Sequence, residues 1–147
     1  MNIDLYEQDF YRWTMSNARL LRQGRFSEID AENIAEELES MGRRERRALT
    51  SRLAVLLAHL IKWELQPSLR SRSWKYTVKE QRRKIAKLLG ENPGFKSDLE
   101  SMVSEAYEDA FFIVLKETEL EEEALPSVCP YSFEQAMEDD FWPGEEA

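Results

Sequence analysis

The side chains of this sequence best suited to nucleophilic or acid–base chemistry near neutral pH are His59 and Cys129, and each is alone of its kind. Nucleophilic catalysis needs a base beside a nucleophile. Seventy residues separate the two, and nothing in the spacing brings them together. A structural zinc site needs Cys or His pairs at short spacing, and none is present. A carboxylate metal site in a helical bundle needs a Glu three residues before a His. Residue 56, at that offset from His59, is Leu56. No Gly-rich phosphate loop occurs. A different chemistry is offered by Gln66, Arg70, Arg72, Trp74 and Gln81. Guanidinium groups beside an aromatic ring and a helix N-terminus can bind an anion. The commoner reason for arginines at such a junction is pairing with an acidic segment, here the C-terminal one.

Both sets of residues hang on one stretch, Leu49 to Trp63. Leu49, Leu53, Leu56, Leu60 and Trp63 alternate steps of four and three, the mark of one helix face. Val55, Leu57, Ala58 and Ile61 lie off that face, so the helix is apolar nearly all round from Leu53 onward. Such a helix is covered on most sides, by its own bundle or by another subunit. His59 then reads as a polar point within a structural axis. With His59 and Lys62 inside it, the stretch is too short to span a membrane.

The chain has 147 residues, 42% hydrophobic and 11% aromatic, with five Gly and five Pro. That composition predicts a folded, helix-rich domain with its own core. No Asn-Gly or Asp-Gly hairpin turn and no strictly alternating strand is present. The polar N-terminus MNIDLYEQDF is not a secretory signal, and one Cys makes no internal disulfide, so a reducing cytoplasm is the expected location. Net charge is −9 and unevenly spread. Residues 1–41 carry 4 basic and 9 acidic side chains, residues 42–87 carry 14 and 3, and residues 88–147 carry 2 and 17. A basic middle between acidic ends has three readings. The acidic and basic parts can pair with one another. The basic part can bind nucleic acid or phosphate. Or an acidic tail can cover that patch until a partner displaces it. Pairing is much the commonest origin of such patterns.

In chain order, a first helix is predicted over 4–22, with Phe10, Trp13, Asn17 and Leu20 inward and Gly24 as its stop. Asn17 is expected to be a core amide bonded to a neighbouring helix. Asp30 caps a second helix, whose apolar face includes Ile34, Leu38 and Met41. A break or kink is expected at Gly42, followed by the central helix 43–65, ended by Pro67. Ser71 or Ser73 caps a helix over about 73–90. Its inward face is Trp74, Val78, Gln81, Ile85 and Leu88, and Lys75, Lys79, Arg82, Arg83 and Lys87 make it basic outside. Asn92 and Pro93 start a two-striped helix that runs to about Glu119. Ser132 and Gln135 form a capping box for a short last helix over 133–140. The whole is expected to be an all-α single-domain bundle of about five main helices plus that short one. The segment from about residue 120 docks on the bundle.

The motif order resembles that of a bacterial family catalogued as domain of unknown function 29. The resemblance rests on DFYRWT at 9–14, NIAEELESMGRRERR at 33–47 and LLAHLIKW at 56–63. It continues through Gln66-Pro67, Arg72-Ser-Trp74, EQRR at 80–83, Glu91-Asn-Pro93 and Cys129-Pro130. It covers nearly the whole chain and implies a compact all-helical bacterial protein. It implies no activity and transfers no catalytic residue. No cofactor, metal or catalytic motif is expected. The expected role is a protein–protein interaction module that self-associates as a homodimer or takes another protein partner. The alternative is nucleic-acid or phosphate-ligand binding through residues 43–87, which the net negative charge disfavours for nucleic acid.

Overall fold

The computed structural model describes residues 4–145, and every regular element among them is helical. The α-helices are α1 (Leu5–Gln8), α2 (Phe10–Arg22), α3 (Ala31–Leu65), α4 (Arg72–Glu91), α5 (Leu99–Glu117) and α6 (Phe133–Met137). Short 3-10 turns at Phe26–Glu28, Pro67–Leu69, Pro93–Asp98 and Glu122–Ala124 connect them. The fold is all-α, as the helical periodicities and the scarcity of Gly and Pro require. No helix among the described residues is long and apolar enough to cross a membrane.

The chain divides into two compact units, Met1–Arg44 and Glu45–Ala147. In the first, α2 does not begin at residue 4. Asp9 breaks the helix with an extended backbone and accepts from the Arg12 N–H at 3.1 Å, so it caps α2. At the other end, Arg25 N–H bonds Leu20 O and Gly24 N–H bonds Leu21 O, each at 3.0 Å. This is a Schellman stop, and Gly24 takes the positive φ, 71°, that it requires. Asn17 donates to Trp13 O within α2 and accepts from the Asp30 N–H at 2.8 Å. Asp30 in turn accepts from Trp13 Nε1, Asn33 N and Asn33 Nδ2. One carboxylate thereby caps α3 and receives the indole of α2, and these bonds hold its pKa low.

The break expected at Gly42 is absent: α3 is continuous for 35 residues. Arg43 reaches back to both Glu36 and Glu39, and these bonds support the helix across the glycine.

In the second unit, Leu49, Leu53, Leu56, Leu57, Ala58 and Leu60 are wholly buried. They meet Val78 and Ile85 from α4 and Met102, Ala106, Ala110 and Val114 from α5. Arg46 bridges to Asp98 at 2.8 Å and Glu105 at 2.6 Å, which joins the basic middle to the acidic end within one chain. Asn92 does not cap a following helix. Its amide donates to Leu88 O and Glu45 Oε2, and residues 93–98 form a 3-10 turn before α5 starts at Leu99. The last helix ends at Met137 and opens with the capping box between Ser132 and Gln135.

Candidate functional site

The hand-over from α3 to α4 is built by three local devices. The Pro67–Leu69 turn ends α3, an extended Arg70 redirects the chain, and Ser71 accepts from the Trp74 N–H at 3.1 Å to start α4. This leaves a cavity of about 310 Å³ lined by Trp63, Arg70, Ser71, Arg72, Lys75 and Tyr76. Arg70 is fixed there. Its Nε donates to Trp63 O at 2.8 Å, its Nη2 to Pro143 O at 3.4 Å, and its guanidinium lies 5.1 Å from the Trp63 ring. Arg72 lies 5.2 Å from the Tyr76 ring, with the Lys75 ammonium 6.0 Å from the same ring.

Of the five residues singled out from the sequence, Arg70 and Arg72 share this cavity. The others do not line it. Trp74 sits 5.7 Å from the ammonium of Lys62. Gln81 is buried and accepts from Arg52 Nη1 at 3.4 Å. Gln66 Oε1 is buried without a hydrogen-bond partner, as is Trp63 Nε1. Arg70 meets the C-terminal segment through the carbonyl of Pro143 and not through a carboxylate. The sequence reading missed Trp63, Lys75 and Tyr76 as wall residues. Lys75 and Tyr76 follow Arg72 by three and four, so helical spacing alone puts them on its face.

Arg82 is not part of a basic outer face. It is 3% exposed, although Arg83 beside it is exposed. Its Nε donates to Ala136 O at 2.8 Å, Nη2 to Phe141 O at 2.7 Å and Nη1 to Asp139 O at 3.4 Å. Its guanidinium also lies 5.2 Å from the Trp142 ring. Burial lowers its pKa, opposed by the nearby Asp139 and Glu138. The planar fork suits three carbonyls that face one point. The C-terminal segment is further held by Tyr131, whose hydroxyl donates to Glu64 Oε1 at 2.6 Å, and by the Trp63–Trp142 contact, with ring centroids 4.8 Å apart.

His59 is half-buried, and its Nδ1 bonds Val55 O at 2.8 Å, one turn back on α3. The bond fits an imidazole that carries its proton on Nδ1. Burial pulls its pKa below the ordinary histidine value, and Lys62 adds to the effect. Lys62 is 3% exposed and forms an ion pair with Glu117 of α5. Cys129 donates from Sγ to Tyr131 O at 3.3 Å, and burial pushes its thiol up. The hydrogen bonds of His59 and Cys129 thus go to separate carbonyls. Cys129 instead borders a second cavity, of about 500 Å³, with Leu99, Val103 and Tyr131 among its walls. Among the described residues no group of three or more His, Cys, Asp or Glu is placed to hold a metal ion.

No curated protein and no solved structure matches the chain. A family model does, from the α1 helix at Leu5 to the Trp142 that packs on Trp63, so nearly every contact described above lies within it. Over residues 5–142 the chain belongs to the family described as Domain of unknown function DUF29.

Proposed function

We propose that this chain is a protein–protein interaction module that self-associates through its N-terminal unit, in the cytoplasm of a bacterial cell. The observation that supports this is where its exposed apolar side chains fall. Within the unit that ends at Arg44, Phe10, Tyr11, Met15, Leu21, Phe26, Leu38 and Met41 are all exposed. Among the described residues of that unit only Trp13 and Asn17 are buried. Among its described residues the other unit, more than twice as long, exposes four large hydrophobics, Leu69, Tyr76, Phe112 and Val128.

A unit of this length is near the lower limit at which a chain covers its own core, and oligomerisation is the usual remedy. Tyr11 and Met15 are one turn apart on α2, and Leu38 and Met41 are one turn apart on α3. A second copy brings the same surface to the contact, as a two-fold interface demands. The free, half-buried Cys129 suits a reducing compartment.

Light scattering tests the reading. The native chain should run as a dimer at about 100 μM, well above a micromolar Kd. Leu38→Glu with Met41→Glu should convert it to a monomer of unchanged helix content by circular dichroism. A native monomer at that concentration overturns self-association.

A further inference from the structure

The cavity at the start of α4 collects three cations, and no carboxylate is among its described lining residues. Arg70, Arg72 and Lys75 line it, and among the described residues none of them forms an ion pair. Other exposed cations, Lys79 and Arg83 of α4 among them, also form no ion pair among the described residues, but they do not line this cavity. Arg25, Arg43, Arg46, Lys62 and Lys84 meet carboxylates, and Arg82 meets carbonyls.

Two of the cavity cations are also held in place. Arg70 lies 5.1 Å from the Trp63 ring and is tied to the Trp63 carbonyl, and Arg72 lies 5.2 Å from the Tyr76 ring. A guanidinium held against an aromatic ring keeps N–H donors that can meet an oxyanion: among the described residues, Nη1 of Arg70 makes no hydrogen bond to the protein, and Arg72 makes none with its side chain. The positive end of the 20-residue helix α4 stands at the same place, and Ser71 caps only the Trp74 N–H of its first turn.

We infer that this cavity binds a compact phosphate monoester, free in solution. Three cations lining one cavity suit a dianion better than a single carboxylate. At about 310 Å³ the cavity lies at the small end of the ligand-pocket range of about 300–1,000 Å³. A nucleic-acid polyanion is disfavoured because the chain as a whole carries −9. The inference rests on the second unit alone and is independent of self-association.

Titration of the full chain with glycerol 3-phosphate, followed by amide NMR, tests it. The Arg72 and Ser73 amides should shift and saturate. Arg72→Ala and Lys75→Ala, both at exposed positions, should each raise Kd about tenfold, equivalent to about 1.4 kcal/mol. Arg83→Ala, exposed on α4 outside the cavity, should leave Kd unchanged. No saturation by about 50 mM, where even a Kd in the millimolar range would be filled, overturns the inference. So does equal loss in Arg83→Ala, or tighter binding of a single-stranded oligonucleotide or of succinate than of the phosphate ester.

Discussion

Arg82 of α4 donates from Nη2 to the carbonyl oxygen of Phe141 at 2.7 Å, across 59 residues of chain. With the bonds to Ala136 O and Asp139 O, this single buried guanidinium gathers the backbone that follows α6. Removing it leaves carbonyls without donors and takes away one of the two contacts described for the Trp142 ring, the other being with Trp63. Arg82→Met should lower stability by about 2 kcal/mol, the scale of hydrogen bonds to a charged group. Arg82→Lys should not restore it, because an ammonium cannot reproduce the fork. Urea unfolding gives the stability. Hydrogen exchange over residues 133–143 should quicken in both variants while the amides of residues 49–61 stay protected.

Lys62 and Glu117 form an unequal pair. The lysine side chain is 4% exposed and the glutamate 53%. Loss of Glu117 strands a buried ammonium near Trp74, whereas Lys62→Met replaces the pair by apolar packing. Glu117→Gln should therefore cost more than Lys62→Met, by about 1 kcal/mol. A double variant should recover most of that difference. Equal losses in the two single variants would contradict this account.

His59 makes a prediction for acid. Its folded pKa lies below the ordinary value of 6.5, mainly through burial. As pH falls, the unfolded chain takes up this proton before the folded one does. The stabilisation from neutral His59 is therefore complete above about pH 6.5 and is lost as pH falls below it towards the lower folded value. Asp30 and Glu105 are also held low, by hydrogen bonds, but their losses begin only in the carboxylate range near pH 4. Between about pH 7 and pH 5 the urea midpoint should fall in the native chain, and His59→Gln should flatten that slope.

Gly42 lies within the continuous α3, is exposed, and a methyl group there meets nothing within 4 Å. Its native φ is not positive. Gly42→Ala should therefore stabilise the helix by about 1 kcal/mol. Thermal unfolding followed by circular dichroism should show a rise of a few degrees. A fall would mean that the glycine serves a close approach.

The local devices were legible because they act over a few residues. Asp30, Ser71 and the Ser132–Gln135 box cap helices through bonds to backbone three positions on, and Gly24 closes α2 through bonds three and five positions back. The apolar face of Leu49 to Trp63 was legible for the same reason, since helical spacing fixes which side chains share a side. Gly42 misled because a propensity cost of about 1 kcal/mol is small beside the backbone bonds and packing of a 35-residue helix. Asn92 misled because an asparagine amide serves the end of one helix as readily as the start of the next. Arg70 and Arg72 line one cavity, whereas Gln66, Trp74 and Gln81 were grouped with them by proximity in the chain alone.

Taken by itself, the sequence determined the helical class, the caps and the buried stripe of α3, all of them properties of neighbours along the chain. Only the tertiary structure decided which charges meet. Arg82 and Arg83 are identical in type and adjacent, yet one is buried under carbonyls more than 50 residues away and the other is exposed. Arg46 and Lys62 found carboxylates on α5 or just before it, while among the described residues Arg70, Arg72 and Lys75 form no ion pair around a shared cavity. The physical reason is that a hydrogen bond or an ion pair is chosen by distance in space. Packing of the core sets those distances, and no local pattern encodes them.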